Sequence, residues 1–123
     1  MKKLLTLHKQ QFNAEKFKVE FLEDAIKFLE QLDEKTRTKI IYNITKVQRT
    51  NNNELLKKVD GEIWEFRTLF NRTHYRLFAF WDKTDKTSTL VVSTHGIIKK
   101  TGKTPLKELE KANRLRETYF KGK

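Results

Sequence analysis

The chain of 123 residues contains no cysteine and only one proline and four glycines. Disulfides and cysteine-ligated metal sites are therefore excluded. No apolar run approaches the roughly 20 residues that a membrane-spanning helix needs. The chain begins with basic residues, but its apolar run is short and charge returns at Lys9, which makes a poor signal peptide. We therefore expect a cytoplasmic protein that has no membrane partner.

Positive charge is the most abundant feature of the sequence, with a formal net charge of +11 from 27 Lys and Arg against 16 Asp and Glu. About half of this excess lies in residues 95–123, where nine basic residues face three glutamates. Such a charge on a small domain predicts a polyanionic partner, first nucleic acid and second an acidic protein that masks the same surface. The alternative is a solvated lysine-rich surface. Nine Phe, three Tyr and two Trp are enough for a small core.

The first part of the chain predicts a strand followed by two helices. Residues 16–21 alternate charged and apolar side chains, which is typical of a half-buried strand. Apolar residues then follow helical spacing over residues 22–32, and Asp33 is positioned to cap a second helix. The polar run 50–53 ends that helix. We expect the two helices to form a hairpin that packs on a sheet.

The second part predicts a small sheet and a last helix. Alternating apolar segments separated by short polar turns predict three antiparallel strands. The predicted strands cover residues 63–70, 74–81 and 89–95. A helix is predicted from Pro105, with Thr104 as its cap. The order β-α-α-β-β-β-α describes one α+β domain over residues 16–123, with helices packed on a strongly curved antiparallel meander. Residues 1–15 form either an extra strand or a mobile arm.

The segment between the third strand and the last helix concentrates groups that suit phosphodiester chemistry. His95 ends the predicted strand, and Lys99, Lys100 and Lys103 follow it in a predicted loop. An imidazole can move protons near neutral pH, and ammonium groups can hold a phosphate. The alternative is that His95 is structural or merely exposed, since most lone histidines are.

Two arginines in the predicted strands are the second group of candidates. Arg76 lies within a strongly apolar strand, where a charge is costly unless it is paired or faces a cleft. Arg67 shares one face of its strand with Glu65. In one interpretation Arg67 or Arg76 forms a salt bridge with Glu65, and in the other both arginines project from an open face toward a bound phosphate.

No metal and no cofactor are expected. The three histidines lack ligand spacing, and no carboxylate cluster of the two-metal nuclease type is visible. Metal-free RNA cleavage needs a base for the ribose 2′-OH, an acid for the leaving 5′-oxygen and cations for the pentavalent phosphorane. His95 could be the acid or the base, and the cations could be Arg67, Arg76 and Lys100.

Three motifs together resemble the RelE/HigB-like toxins of type II toxin–antitoxin systems, and specifically the phage-derived HigB-type group. They are Trp64-Glu65-Phe66-Arg67, Tyr75-Arg76-Leu77-Phe78 and the segment 95–105, in the expected order and spacing. The resemblance covers roughly residues 16–120. It implies a compact βααβββα fold and a metal-independent endoribonuclease that cleaves mRNA, typically at the ribosome. It also implies a cognate antitoxin, often of helix-turn-helix type, whose complex with the toxin binds operator DNA.

The resemblance also implies roles for individual residues. Arg76 matches a strand arginine that contacts the scissile phosphate, and Arg67 matches a basic residue of the same cleft. Lys99 and Lys100 fall where related toxins place a catalytic or phosphate-binding basic residue, and His95 falls near the active-site histidine of some HigB members. The predicted catalytic set is Arg67, Arg76, His95 and Lys100, and the predicted RNA-binding residues are Lys99 and Lys103. The general base is unassigned, with Glu65 a candidate.

Two other functions are compatible with the same residues. One is a noncatalytic RNA-binding or ribosome-binding module that uses the basic cleft. The other is a toxin fold that acts mainly as one half of an operator-binding complex. An mRNA-cleaving toxin, or mRNA interferase, is the leading hypothesis because the motifs place a proton-transfer candidate among the cations.

Overall fold

The computed structural model describes residues 17–50, 52–84, 90–99 and 103–123, with the backbone alone at 90–93. The elements in chain order are β1 (Lys18–Phe21), α1 (Glu23–Glu30), α2 (Glu34–Thr50), β2 (Leu56–Asp60), β3 (Ile63–Phe70), β4 (Thr73–Asp82), β5 (Leu90–Lys99) and α3 (Leu106–Lys121). The arm or strand predicted for residues 1–15 lies outside the described residues. No described helix is both long enough and apolar enough to cross a membrane.

The sheet has five strands in the order β1-β5-β4-β3-β2. Strands β2 to β5 form an antiparallel meander, and β1 adds to β5 in parallel at one edge. The predicted α+β class with a meander sheet and three helices is confirmed. Strand β2 was not predicted. It pairs on one side only and exposes Lys57 and Lys58, which is a common way to protect a sheet edge.

The turn between β3 and β4 is a two-residue hairpin turn. Asn71 and Arg72 have φ values of 51° and 62°, the left-handed region that hairpin turns of this length require. The turn brings Arg67 directly opposite Arg76 in the ladder. The predicted turn at residues 71–73 therefore sets the register that brings the two candidate arginines together.

The helical hairpin α1–α2 covers one face of the sheet. The main core cluster joins both helices to β1, β3 and β4; its fully buried members include Ala25, Leu29, Ile40, Ile44, Val47, Leu77 and Ala79. Gly96 of β5 lies directly beneath the ring of Phe28, and a Cβ atom at this position would overlap three atoms of the ring. The sheet and α1 can approach this closely because residue 96 has no side chain.

Gly96→Ala is expected to lower the free energy of unfolding by about 1–3 kcal/mol, because the Phe28 ring must leave its packed position. Urea unfolding of the two proteins measures the difference. Gly122→Ala is a matched control, since a Cβ atom there meets nothing closer than 3.5 Å. Equal losses in the two variants would contradict the close-packing argument.

Helix α3 covers part of the opposite face. Leu109, Ala112, Tyr119 and Phe120 pack with Ile63, Phe78 and Phe80 in a second cluster. The same face remains open toward the β3–β4 turn, where Leu69 is 59% exposed. We call this uncovered part of the sheet, formed by residues 67 and 69 of β3, 74 and 76 of β4, and 97 and 99 of β5, the open face.

A buried carboxylate fastens the end of α3 to the sheet. Asp82 accepts hydrogen bonds from Tyr119 Oη at 2.5 Å and from the hydroxyl of Thr84 at 2.6 Å, and pairs with Lys123 Nζ at 2.9 Å. Burial opposes ionisation of Asp82, but these donors outweigh it and hold the pKa of its carboxyl well below the ordinary value of 3.8. Burial and the bond to Asp82 raise the pKa of Tyr119 to about 12.

The low pKa of Asp82 predicts a loss of stability in acid. Because the folded state binds the Asp82 proton more weakly than the unfolded chain, its contribution is complete above pH 3.8 and declines as the pH falls further. Asp82→Asn is expected to be less stable at pH 7 by about 2 kcal/mol and to lose less stability than wild type between pH 4 and pH 2. Thermal unfolding across this range tests the prediction, and parallel curves for the two proteins would contradict it.

Candidate active site

Glu65 is the centre of the site. It lies on β3 between two apolar positions, and its side chain is fully buried. Arg67 Nε and Arg76 Nη1 both donate to its Oε1 atom, at 2.8 and 2.6 Å. Thr104 Oγ1 donates to Oε2 at 3.1 Å. One carboxylate therefore holds both strand arginines and the segment that leads into α3.

The two arginines need this carboxylate because they face each other in the ladder. Arg67 and Arg76 are direct cross-strand partners, and like charges in that position repel. A buried carboxylate between them offsets the repulsion and fixes the direction of each guanidinium. The structure therefore pairs both arginines with Glu65. Two guanidinium groups and one carboxylate leave this group with one positive charge in excess.

Arg76 keeps an unused donor. Its side chain is 13% exposed, and its buried Nε–H has no hydrogen-bond partner among the described residues. A buried N–H without a partner costs about 1–3 kcal/mol. Arg67 is more accessible, with 34% of its side chain exposed. The pair thus presents donors and net positive charge at the edge of the open face.

Lys99 adds a third cation to this group. It lies on β5, and its ammonium donates to the backbone carbonyl of Lys103. Burial and the positive charge of Arg76 lower the pKa of Lys99, and Glu65 partly opposes them. Lys103 is exposed. We call Glu65, Arg67, Arg76, Lys99 and Thr104 the arginine site.

His95 lies beneath α3, and its hydrogen bonds go to residues outside the arginine site. It is buried, its ring stacks on Phe78 at 4.8 Å, its Nε2 lies 3.1 Å from Glu108 Oε1, and its Nδ1 lies 3.1 Å from Thr94 Oγ1. Because a carboxylate only accepts, the Nε2–H of His95 donates to Glu108, while Thr94 Oγ1 lies between Nδ1 and the carbonyl oxygen of Phe78, to which it donates at 3.3 Å. Burial lowers the pKa of His95, and Glu108 opposes this effect. The imidazole is therefore a packed link between β5 and α3.

A β-bulge explains this position of His95. Gly96 pairs with Leu77 and Ser93 pairs with Ala79, so Thr94 and His95 together oppose Phe78 alone. The extra residue turns the imidazole toward α3. The expectation that His95 ends its strand and opens a loop is corrected, because β5 continues to Lys99.

The sequence matches the family described as phage derived protein Gp49-like (DUF891) over residues 27–117. The chain belongs to this Gp49-like family. It is a toxin family of RelE/HigB type, so the resemblance carried by the three motifs is confirmed. Among solved structures, the intact RelBE toxin–antitoxin complex of E. coli is similar to the chain, with a TM-score of 0.49 and 15% identity over 71% of this chain and 99% of that one. No curated protein matches the chain.

The structure of this Gp49-like protein brings together part of the predicted set. Arg67, Arg76 and Lys99 meet at the arginine site, and Lys103 joins it through its backbone. His95 bonds to Thr94 and Glu108 instead. Lys100 lies outside the described residues. No three His, Asp or Glu side chains in the described part of the chain are grouped to hold a metal ion.

The prediction that Thr104 caps the last helix is wrong. The helix begins at Leu106 with Pro105 as its N-cap, and no side chain caps it. The Thr104 hydroxyl instead donates to Glu65, which is 39 residues away in sequence. No local pattern signals a contact over that separation, so sequence reasoning could find the threonine but not its partner.

Proposed function

We propose that this Gp49-like protein is a metal-independent endoribonuclease that cleaves mRNA at the ribosome in the cytoplasm and so blocks translation. The proposal is carried by one observation: two facing arginines are aimed by one buried carboxylate, and the side chains of both remain partly exposed. Guanidinium groups that are fixed before substrate arrives suit the charge that develops on a pentavalent phosphorane. Membership of a RelE/HigB-type toxin family supports the same function.

Arg76 and Arg67 have the central roles in this proposal. The Arg76 guanidinium, whose side chain is 13% exposed, would donate to a nonbridging oxygen of the scissile phosphate. Arg67, which is more exposed, would bind a second oxygen of the same phosphate. Lys99 and Lys103 would hold flanking phosphates. Lys100 keeps its predicted catalytic role, in which it neutralises the developing charge together with Arg67 and Arg76.

Glu65 is a positioning residue in this scheme and not the general base. Its Oε1 atom accepts from two guanidinium groups and its Oε2 atom accepts from Thr104. The side chain is also fully buried, so a ribose hydroxyl cannot reach it without displacing the arginines. Its effect on cleavage is therefore exerted through Arg67 and Arg76.

A cognate antitoxin is the second partner in the proposal. The net charge of +11 and the excess of cations at the arginine site favour an antitoxin with an acidic segment. A helix-turn-helix antitoxin would also connect the complex to operator DNA. Binding of such a segment stabilises the folded toxin by mass action as well as masking the site.

Ribosomes programmed with a defined mRNA test the proposal against a noncatalytic binding module. The purified protein is expected to cut the all-ribose mRNA at mapped positions and to leave the bond intact where a 2′-deoxy nucleotide precedes it, because the route requires the 2′-OH. EDTA is expected to leave the rate of mRNA cleavage unchanged, provided that the mRNA stays bound to the ribosome when the chelator is added. Binding without cleavage of any mRNA would favour the noncatalytic module.

A further inference from the structure

His74 lies on the open face beside the arginine site. It is two residues before Arg76 on β4, so the two side chains project from the same side of the sheet. In the ladder it is the direct partner of Leu69 on β3 and of Lys99 on β5. Its position in the register therefore places an imidazole in the row next to the two arginines, about 7 Å along the strand.

Only one of the two described histidines is available to a ligand. His95 is buried and uses both ring nitrogens on Glu108 and Thr94. His74 is half-buried and makes no hydrogen bond or ion pair with another described residue. Helix α3 packs on the other half of this face, which leaves His74 next to the exposed Leu69.

Because His95 is buried and uses both ring nitrogens, His74 replaces it as the candidate proton donor. This inference rests on the proposed endoribonuclease function. We propose that His74 is the general acid of the cleavage step. A phosphate seated on Arg76 and Arg67 would have the His74 imidazole beside it along the strand and the Lys99 ammonium beyond it. The exposed Leu69 offers an apolar surface to the nucleoside that leaves.

The step balances with His74 in this role. The ribose 2′-oxygen forms a bond to phosphorus while the bond from phosphorus to the 5′-oxygen breaks. The proton of the 2′-hydroxyl passes to solvent water, and the 5′-oxygen receives a proton from the His74 imidazolium. The products are a 2′,3′-cyclic phosphate and a 5′-hydroxyl, and His74 regains its proton from solvent.

The charged groups around His74 come from three elements and the turn. Arg67 projects from β3, Arg76 from β4 itself, Lys99 from β5, and Arg72 lies at the β3–β4 turn. Among the described residues of this face, Glu65 supplies a buried negative charge, which both strand arginines already share. A bound RNA phosphate would add negative charge to this predominantly positive group.

A sulphur-substituted mRNA tests the role directly. His74→Gln keeps a polar side chain of similar length but cannot transfer the proton. On programmed ribosomes it is expected to slow cleavage of the normal mRNA by about 100-fold or more. An mRNA whose mapped scissile bond carries sulphur in place of the 5′-oxygen has a leaving group that needs no proton. The variant is expected to cut it at nearly the wild-type rate, whereas Arg76→Ala is expected to remain slow on both mRNAs.

The outcomes separate this inference from the proposed function. If wild type cleaves and His74→Gln cleaves equally fast, the general-acid role is overturned and the endoribonuclease function stands. The same conclusion follows if His74→Gln slows cleavage of the normal and the sulphur-substituted mRNA equally. No cleavage by wild type would overturn both. Should His74→Gln fail to fold, His74→Ala with added imidazole supplies the second measurement: restored cleavage of the normal mRNA is expected, and its absence in the folded variant would count against His74.

Discussion

Arg76→Ala is expected to slow mRNA cleavage by about 100-fold to 1,000-fold, the effect of removing one preorganised donor from a developing oxyanion. The variant loses the guanidinium that Glu65 aims and that we assign to the scissile phosphate. Single-turnover cleavage on programmed ribosomes measures the effect independently of product release.

Two further variants make the Arg76 prediction specific. Arg76→Lys keeps the charge but not the planar guanidinium, so its rate is expected to fall between those of wild type and Arg76→Ala. Arg114→Ala removes the same charge from an exposed position of α3 and is expected to cleave at the wild-type rate. If Arg76→Ala, correctly folded, cleaved as fast as Arg114→Ala, the arginine site would not be the catalytic centre.

Glu65→Ala is expected to lower the free energy of unfolding by about 3–5 kcal/mol, the usual cost of removing one partner from a buried ion pair. The change leaves Arg67 and Arg76 opposed in the ladder without their shared acceptor and leaves the Thr104 hydroxyl without its partner. Urea unfolding at neutral pH measures the loss.

The controls for Glu65 separate the buried ion pair from a general effect of charge. Glu110→Ala removes a carboxylate from the exposed side of α3 and is expected to change stability by less than about 0.5 kcal/mol. Glu65→Leu combined with Arg67→Leu and Arg76→Met replaces the charged group with apolar side chains and is expected to recover much of the loss. A Glu65→Ala variant as stable as wild type would show that the carboxylate does not hold the two arginines together.

Local signals explain why most elements could be predicted from the sequence. Period-two alternation identified β1, β3 and β4, and helical spacing identified the α1–α2 hairpin. Turn chemistry at Asn71 and Arg72 placed the two arginines on neighbouring strands. Glu65 was recognised as a partner for either arginine, and the structure adds that it serves both.

Long-range contacts explain what the sequence could not show. The bulge at Thr94 and His95 depends on Phe78 and on Glu108 of α3, so the periodicity of β5 alone does not reveal where the imidazole lies. Strand β2 is a short edge strand with two exposed lysines, which resembles a loop in composition. The position of His74 beside Lys99 likewise follows from strand pairing, which the sequence does not show.

The most direct test of the central claim is primer extension on a reporter mRNA in cells, after induced expression of wild type and of Arg76→Ala. We expect growth arrest with new 5′ ends for wild type alone, with both proteins accumulating in folded form. Soluble wild-type protein that neither arrests growth nor generates new 5′ ends would contradict it.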